Sequence, residues 1–182
     1  MCIFAAHYQS VIVMSQFEYK PRVADGVLEK KLKSSGAVLV EGPKWCGKTT
    51  TSEQHAKSIN YISDPVNLNK NMILAEMNIN ALLEGDKPKL LDEWQIIPQL
   101  WDAVRFEVDH SKGIGQFIMT GSAVPPDKEK QAKIHHTGTG RIISLRMRPM
   151  SLWESGESSG EVSLANLFNN PGTPIFSESK VL

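Results

Sequence analysis

Short apolar runs alternate along the chain with longer stretches whose apolar residues recur at helical spacing, the pattern of a parallel α/β architecture. Tyr19 to Ser35 predicts an amphipathic helix behind the Pro21-Arg22 pair, with Val23, Val27, Leu28 and Leu32 on one face and Gly36 as its stop. Ala37 to Val40 predicts a buried strand, and Thr49 to Ser58 a helix beyond the glycine-rich turn. Asn60 to Ile62 reads as a short second strand, stopped by Ser63-Asp64-Pro65. Residues 66–84 read as mostly helical, with Leu74, Met77, Leu82 and Leu83 as apolar points, before a turn at Gly85-Asp86-Lys87-Pro88. Lys89 to Asp92 predicts a third strand. Pro98 suits the first turn of a helix running to about Asp109, with Leu100, Trp101, Val104 and Val108 facing inward. Gln116 to Thr120 and Ile142 to Met147 predict the fourth and fifth strands. Between them, residues 124–140 are polar and read as a loop or short helix, and Ser151 to Glu154 starts another helix. Beyond Ser155 the chain turns Gly- and Ser-rich, and it carries no internal repeat.

Composition adds limits. At 182 residues the length fits about one domain, long enough to bury a core. Lys plus Arg number 20, as do Asp plus Glu, so no global basic field draws in nucleic acid; a local patch stays open. Two cysteines, Cys2 and Cys46, make no disulfide framework and no metal-binding spacing, which points to a reducing compartment, the cytoplasm. His7, Gln9 and Ser10 interrupt the apolar N-terminus and no Lys or Arg precedes them, unlike a signal peptide. No apolar run approaches the roughly 20 residues of a membrane span. Residues 1–16 are expected to be an N-terminal extension ahead of the domain, and Met14 to be the natural start, with the first 13 residues lying before it.

Four constellations carry candidate chemistry. Gly42-Pro43-Lys44-Trp45-Cys46-Gly47-Lys48-Thr49 follows the P-loop pattern. Its glycines let the backbone curl so that successive N–H groups face phosphate oxygens, and the next helix presents its N-terminus to the same anion. Lys48 is expected to reach the β- and γ-phosphates of a nucleoside triphosphate, ATP with Mg2+, and the Thr49 hydroxyl to ligate the metal. A strand before the loop and a helix after it supply the required setting; a chance Gly-rich turn is the plain alternative. Second, Lys89-Leu90-Leu91-Asp92-Glu93 puts Asp92 at the C-terminal end of a buried strand, the edge where open α/β sheets bind ligands. Asp92 suits magnesium, usually through water, and Glu93 suits polarising an attacking water. The two also read as solvated acids, but their place about 40 residues after the loop favours chemistry. Third, Phe117-Ile118-Met119-Thr120-Gly121-Ser122 ends a strand in small hydroxyls, and Thr120 or Ser122 is a candidate to stand between phosphate and water. Fourth, Arg141 is a candidate to stabilise charge on the transferring phosphoryl group, on its own or a neighbouring subunit, which makes a homo-oligomer one expected partner. Arg146 and Arg148 read as exposed arginines of an edge strand, and His135 and His136 as loop residues without a metal cluster. Trp45 reads as packing on the neighbouring loop rather than covering nucleotide, and Trp94 and Trp101 as core or a subunit contact.

Together these segments, with Tyr19-Lys20-Pro21-Arg22, Thr50, Trp94-Gln95, Gly140-Arg141 and Arg148-Pro149-Met150-Ser151-Leu152-Trp153-Glu154-Ser155, resemble the AAA-type ATPases of bacteria and archaea that carry a further C-terminal domain. The resemblance spans about residues 17–168. It implies an α/β P-loop NTPase three-layer sandwich with a parallel sheet in order 5-1-4-3-2. It also implies Glu93 as base, Thr120 or Ser122 as sensor, and nucleotide contacts from Gly42 through Thr50. An ATPase domain is expected over 17–155, with 156–182 a partly disordered tail that opens a C-terminal domain the chain lacks. A DNA or protein partner is expected to engage through that missing domain. Two other classes fit the same loop: a nucleotide-binding switch or remnant without turnover, and a small-molecule kinase. A water-activating acid such as Glu93 speaks against the kinase.

Overall fold

The computed structural model describes residues 18–121, 139–160 and 162–172. Within them the elements run α1 (Val23–Leu32), β1 (Ala37–Glu41), α2 (Lys48–Glu53), β2 (Ser58–Tyr61), α3 (Leu68–Asn78), β3 (Lys89–Asp92), α4 (Gln99–Ser111), β4 (Phe117–Gly121), β5 (Ile142–Arg146), α5 (Leu152–Ser155) and α6 (Leu164–Asn169). The five strands form one sheet in order β2-β3-β4-β1-β5, and every pairing is parallel. That is the expected order 5-1-4-3-2, and the fold is an α/β P-loop NTPase fold.

Period-2 alternation in the central strands divides the core between two faces. Val38, Val40, Leu90, Ile118 and Leu145 pack with Leu28 and Leu32 of α1 and with Cys46. Ala37, Leu39, Leu91, Phe117 and Met119 face the other way, onto Leu100, Val104 and Val108 of α4 and onto Leu82 and Leu83. A sheet covered on both faces explains why β1, β3 and β4 read as continuous apolar runs. Burying each Val, Leu, Ile, Phe or Met among them contributes roughly 1.5–3 kcal/mol.

Several expectations shift at the element ends. The predicted apolar face of α1 is half right. Leu28 and Leu32 are buried, one turn apart, whereas Val27 and Val23 sit roughly 100° and 140° round the helix from Leu28 at an exposed rim. The helix after the loop is shorter than predicted, ending at Glu53, because the chain must turn to begin β2 at Ser58. Residues 66–84 split into α3 and a 3-10 turn over Ile79–Leu82, and Met77 faces solvent rather than the core. Trp94 is core, 3% exposed, with the Trp101 ring tilted against it at 5.1 Å between centroids. The Gly- and Ser-rich tail contains α6, which no periodicity announced. Ser122, His135 and His136, and residues 1–16, lie outside the described residues. Among the described residues no helix is long and apolar enough to cross a membrane.

Candidate functional site

Strand register assembles the site. Thr120 stands opposite Val40 on one side and Asp92 on the other, and Gly121 stands opposite Glu41. The Gly42–Thr49 loop, Asp92 and Thr120 therefore leave the sheet at one edge, the C-terminal edge where ligands of such sheets bind.

The loop folds as its glycines dictate. A Cβ on Gly42 would lie 2.3 Å from the Met147 carbonyl oxygen and 3.1 Å from Cys46 Sγ, so only glycine fits against β5's extension. Gly47 caps α2 at φ 92°, a left-handed conformation that disfavours side chains. Trp45 is also left-handed, at φ 68°, without being glycine. Its ring is 93% exposed, so it does not pack on the neighbouring loop as its aromatic character suggested. Cys46 is a buried free thiol. Pro43, Lys44 and Thr50 are exposed. Lys48 is buried at the first turn of α2, and its ammonium donates to the Gly42 and Pro43 carbonyls at 3.1 and 3.0 Å.

The acidic side of the site is tightly linked to the loop. The Thr49 hydroxyl donates to Asp92 Oδ1 at 2.7 Å, and the buried Thr120 hydroxyl donates to the same oxygen at 2.5 Å. Thr120 Oγ1 in turn accepts the Glu93 N–H at 3.2 Å. Its single proton is thus committed to Asp92. Glu93 follows the strand directly in a left-handed conformation, φ 58°, and its carboxylate accepts a hydrogen bond from Gln95 Nε2. Thr49 and Asp92 offer hard oxygen donors, and no cluster of three His, Cys, Asp or Glu exists among the described residues. That sparse set suits Mg2+, which keeps waters and substrate phosphates as ligands, better than a cation needing a protein cage.

Arg141 is not brought to this edge. It precedes Ile142, which pairs with Ala37 at the start of β1, so roughly 13 Å of strand separates it from the loop. Its guanidinium pairs with Asp109 at 2.6 Å and holds that carboxyl below the usual carboxylate range. Arg146 and Arg148 are exposed on or beside the edge strand β5, as expected.

One residue with no local chemical motif around it braces the loop from behind. Arg22, 8% exposed, donates from Nη1 to the Cys46 carbonyl at 2.9 Å, from Nη2 to the Arg148 carbonyl at 2.9 Å and from Nε to Glu154 at 3.1 Å. Glu154 also accepts from the N–H groups of Val23 and Ser151 and from the Ser151 hydroxyl. The Ser151 N–H foremost, with these others, holds its carboxyl at about 2. A signal existed: Arg22 stands at the N-cap of α1, where the helix dipole disfavours a cation, so its side chain had to serve elsewhere. Nearby, Tyr19 donates to Asp25 at 2.8 Å and meets Thr51 of α2 at 3.2 Å, tying the segment before α1 to the helix behind the loop. Burial pushes the Tyr19 phenol up to about 12.

No curated protein matches the chain. A family model described as an AAA domain matches residues 34–155, about two thirds of the 182 residues, from the turn before β1 through α5. The match takes in the loop, Asp92, Glu93 and Thr120 together, and the chain belongs to this AAA-domain family, a class of nucleotide-binding ATPase domains.

Proposed function

We propose that this domain binds ATP with magnesium on the Gly42–Thr49 loop and hydrolyses it, coupling turnover to a conformational change. The observation that carries the proposal is the 2.7 Å contact between the Thr49 hydroxyl and Asp92, which joins the first turn of α2 to the end of β3 at one edge of the sheet. In this reading the loop N–H groups from Lys44 to Thr50 hold the phosphates, and Lys48 exchanges its bonds to the Gly42 and Pro43 carbonyls for the β- and γ-phosphate oxygens. Magnesium, held by Thr49 and Asp92, would neutralise charge on those oxygens. Glu93 accepts a proton from water as the water oxygen bonds to the γ-phosphorus. The bond to the β–γ bridging oxygen breaks, leaving ADP and phosphate. Thr120 keeps Asp92 and the Glu93 backbone in register through its two hydrogen bonds.

A second reading, a nucleotide-bound switch without turnover, is favoured by one observation: Arg141 pairs with Asp109 at the opposite edge. An arginine acting there on phosphate would have to serve a neighbouring copy. The proposed setting is the reducing cytoplasm, in keeping with the buried free thiol of Cys46 beneath the loop. Phosphate release by the purified chain with ATP and magnesium separates the two readings. Hydrolysis is expected in wild type, and Glu93→Gln is expected to keep binding while losing a factor of about 10²–10⁴ in rate. Unchanged phosphate release in Glu93→Gln removes Glu93 from its role, and no release by wild type leaves the switch.

A further inference from the structure

The motif Asp92-Glu93-Trp94-Gln95 holds a residue to which the proposed function gave no task. The Gln95 side chain folds back over two residues, and its Nε2 donates to Glu93 Oε2. The amide orientation follows from this contact, since the opposite flip would set two acceptor oxygens against each other. Gln95 Oε1 points the other way, against the end of β4. A Cβ built on Gly121 would lie 2.3 Å from that oxygen and 3.0 Å from Trp94 Nε1. Both atoms are buried without a hydrogen-bond partner among the described residues. Glycine at this position thus leaves the room that the Gln95 amide fills, and a side chain there would push the amide, the tip of a flexible side chain, out of its place. Trp94, fully seated in the core, fixes the backbone from which Gln95 departs.

Glu93 needs such a restraint. It sits one residue beyond the last strand residue, in a left-handed conformation that only the surrounding structure maintains. Its own backbone is tied to Thr120, but among the described residues its carboxylate is tied to Gln95. We infer that Gln95 is a positioning residue, which holds the Glu93 carboxylate in the orientation it needs to receive the proton of the attacking water. Gly121 makes the room for it. The inference rests on the hydrolytic reading above. It assigns to one side-chain amide the alignment on which proton transfer depends, where a displacement of about 1 Å costs roughly 10²-fold.

The test is steady-state ATP turnover with a separate measurement of ATP affinity in Gln95→Leu, Gly121→Ala, Glu93→Gln and the Gln95→Leu/Glu93→Gln double variant. Gln95→Leu is expected to lower kcat by roughly 10- to 100-fold with ATP affinity and melting temperature unchanged. Gly121→Ala is expected to lower kcat in the same direction by displacing the amide. In the Glu93→Gln background, Gln95→Leu is expected to add no further loss, which a merely structural role would not produce. Equal kcat in wild type and Gln95→Leu overturns the assignment, as does a higher kcat, which would make Gln95 a restraint on Glu93. Full additivity in the double variant overturns it too. An inactive wild type contradicts the hydrolytic reading itself, whereas an active wild type with an indifferent Gln95→Leu contradicts only this inference.

Discussion

Glu154→Gln removes one charge from the brace behind the loop while keeping the shape of the side chain. In wild type the carboxylate accepts from Val23 N, Ser151 N, Ser151 Oγ and Arg22 Nε at 2.7–3.1 Å, and its side chain is only 6% exposed. These donors, led by the Ser151 N–H, lower its carboxyl from 4.5 to about 2. Such a depression corresponds to about 3 kcal/mol at most. The pair is covered by its own neighbours but lies only one layer of side chains below solvent, beside exposed Ser151, Leu152 and Trp153, so screening by nearby water brings the expected loss at pH 7 to about 1–2 kcal/mol. The sign follows from linkage. The folded value lies below the unfolded one, so between them the unfolded chain binds more protons and stability rises with pH. The contribution is complete above pH 4.5 and disappears as pH falls toward 2. Urea unfolding of wild type and Glu154→Gln at pH 7 and pH 3 reads it directly. The variant should be less stable at pH 7, and the gap should shrink by more than half at pH 3, where wild type has lost most of the term. A gap of the same size at both pH values, or none at pH 7, refutes the argument that the carboxylate's charge is what the brace uses.

Two further outcomes follow from the site. Thr120→Val keeps the volume but leaves Asp92 without the 2.5 Å donor, and is expected to cost about 1–3 kcal/mol in urea unfolding and to slow phosphate release; a variant as stable and as fast as wild type contradicts the role given to that hydroxyl. Gly42→Ala drives a methyl to within 2.3 Å of the Met147 carbonyl oxygen, so the loop must shift, and nucleotide affinity measured by calorimetry is expected to fall at least tenfold; unchanged affinity would show that the loop tolerates the side chain.

The parts of the molecule that announced themselves are those written in local pattern. Apolar runs such as Leu90-Leu91 and Phe117-Ile118-Met119, bounded by turn residues, read as strands buried on both faces, and the sheet buries them that way. The loop's glycines report conformations and clearances that other residues refuse, as Gly47 and Gly42 do. Arg141 read as a phosphate partner, yet a residue directly before an apolar strand lies at the edge opposite the loops that follow parallel strands, and that is where the structure holds it. What stayed hidden depends on chain segments far apart in sequence. Arg22 meets Arg148 and Glu154 across separations of 126 and 132 residues, and nothing near Arg22 encodes those partners. Val23 and Val27 share a helical repeat with Leu28 and Leu32, yet the width of the covered stripe is set by where α1 sits against β5. Gln95 was invisible for a different reason: its amide becomes informative only once the left-handed turn at Glu93 brings it back onto the carboxylate.

The most direct measurement is a calorimetric titration of ATP into the wild-type chain and into Lys48→Ala, each with magnesium and with magnesium chelated. Lys48 is buried in the first turn of α2 and bonded to the carbonyls of Gly42 and Pro43, bonds that the proposed function has it exchange for phosphate. Wild type is expected to bind ATP one to one, more tightly with magnesium than without, and Lys48→Ala to lose at least tenfold in affinity with its unfolding transition intact. Equal affinity in wild type and variant, with no response to magnesium in either, would contradict a phosphate-binding role for the Gly42–Thr49 loop.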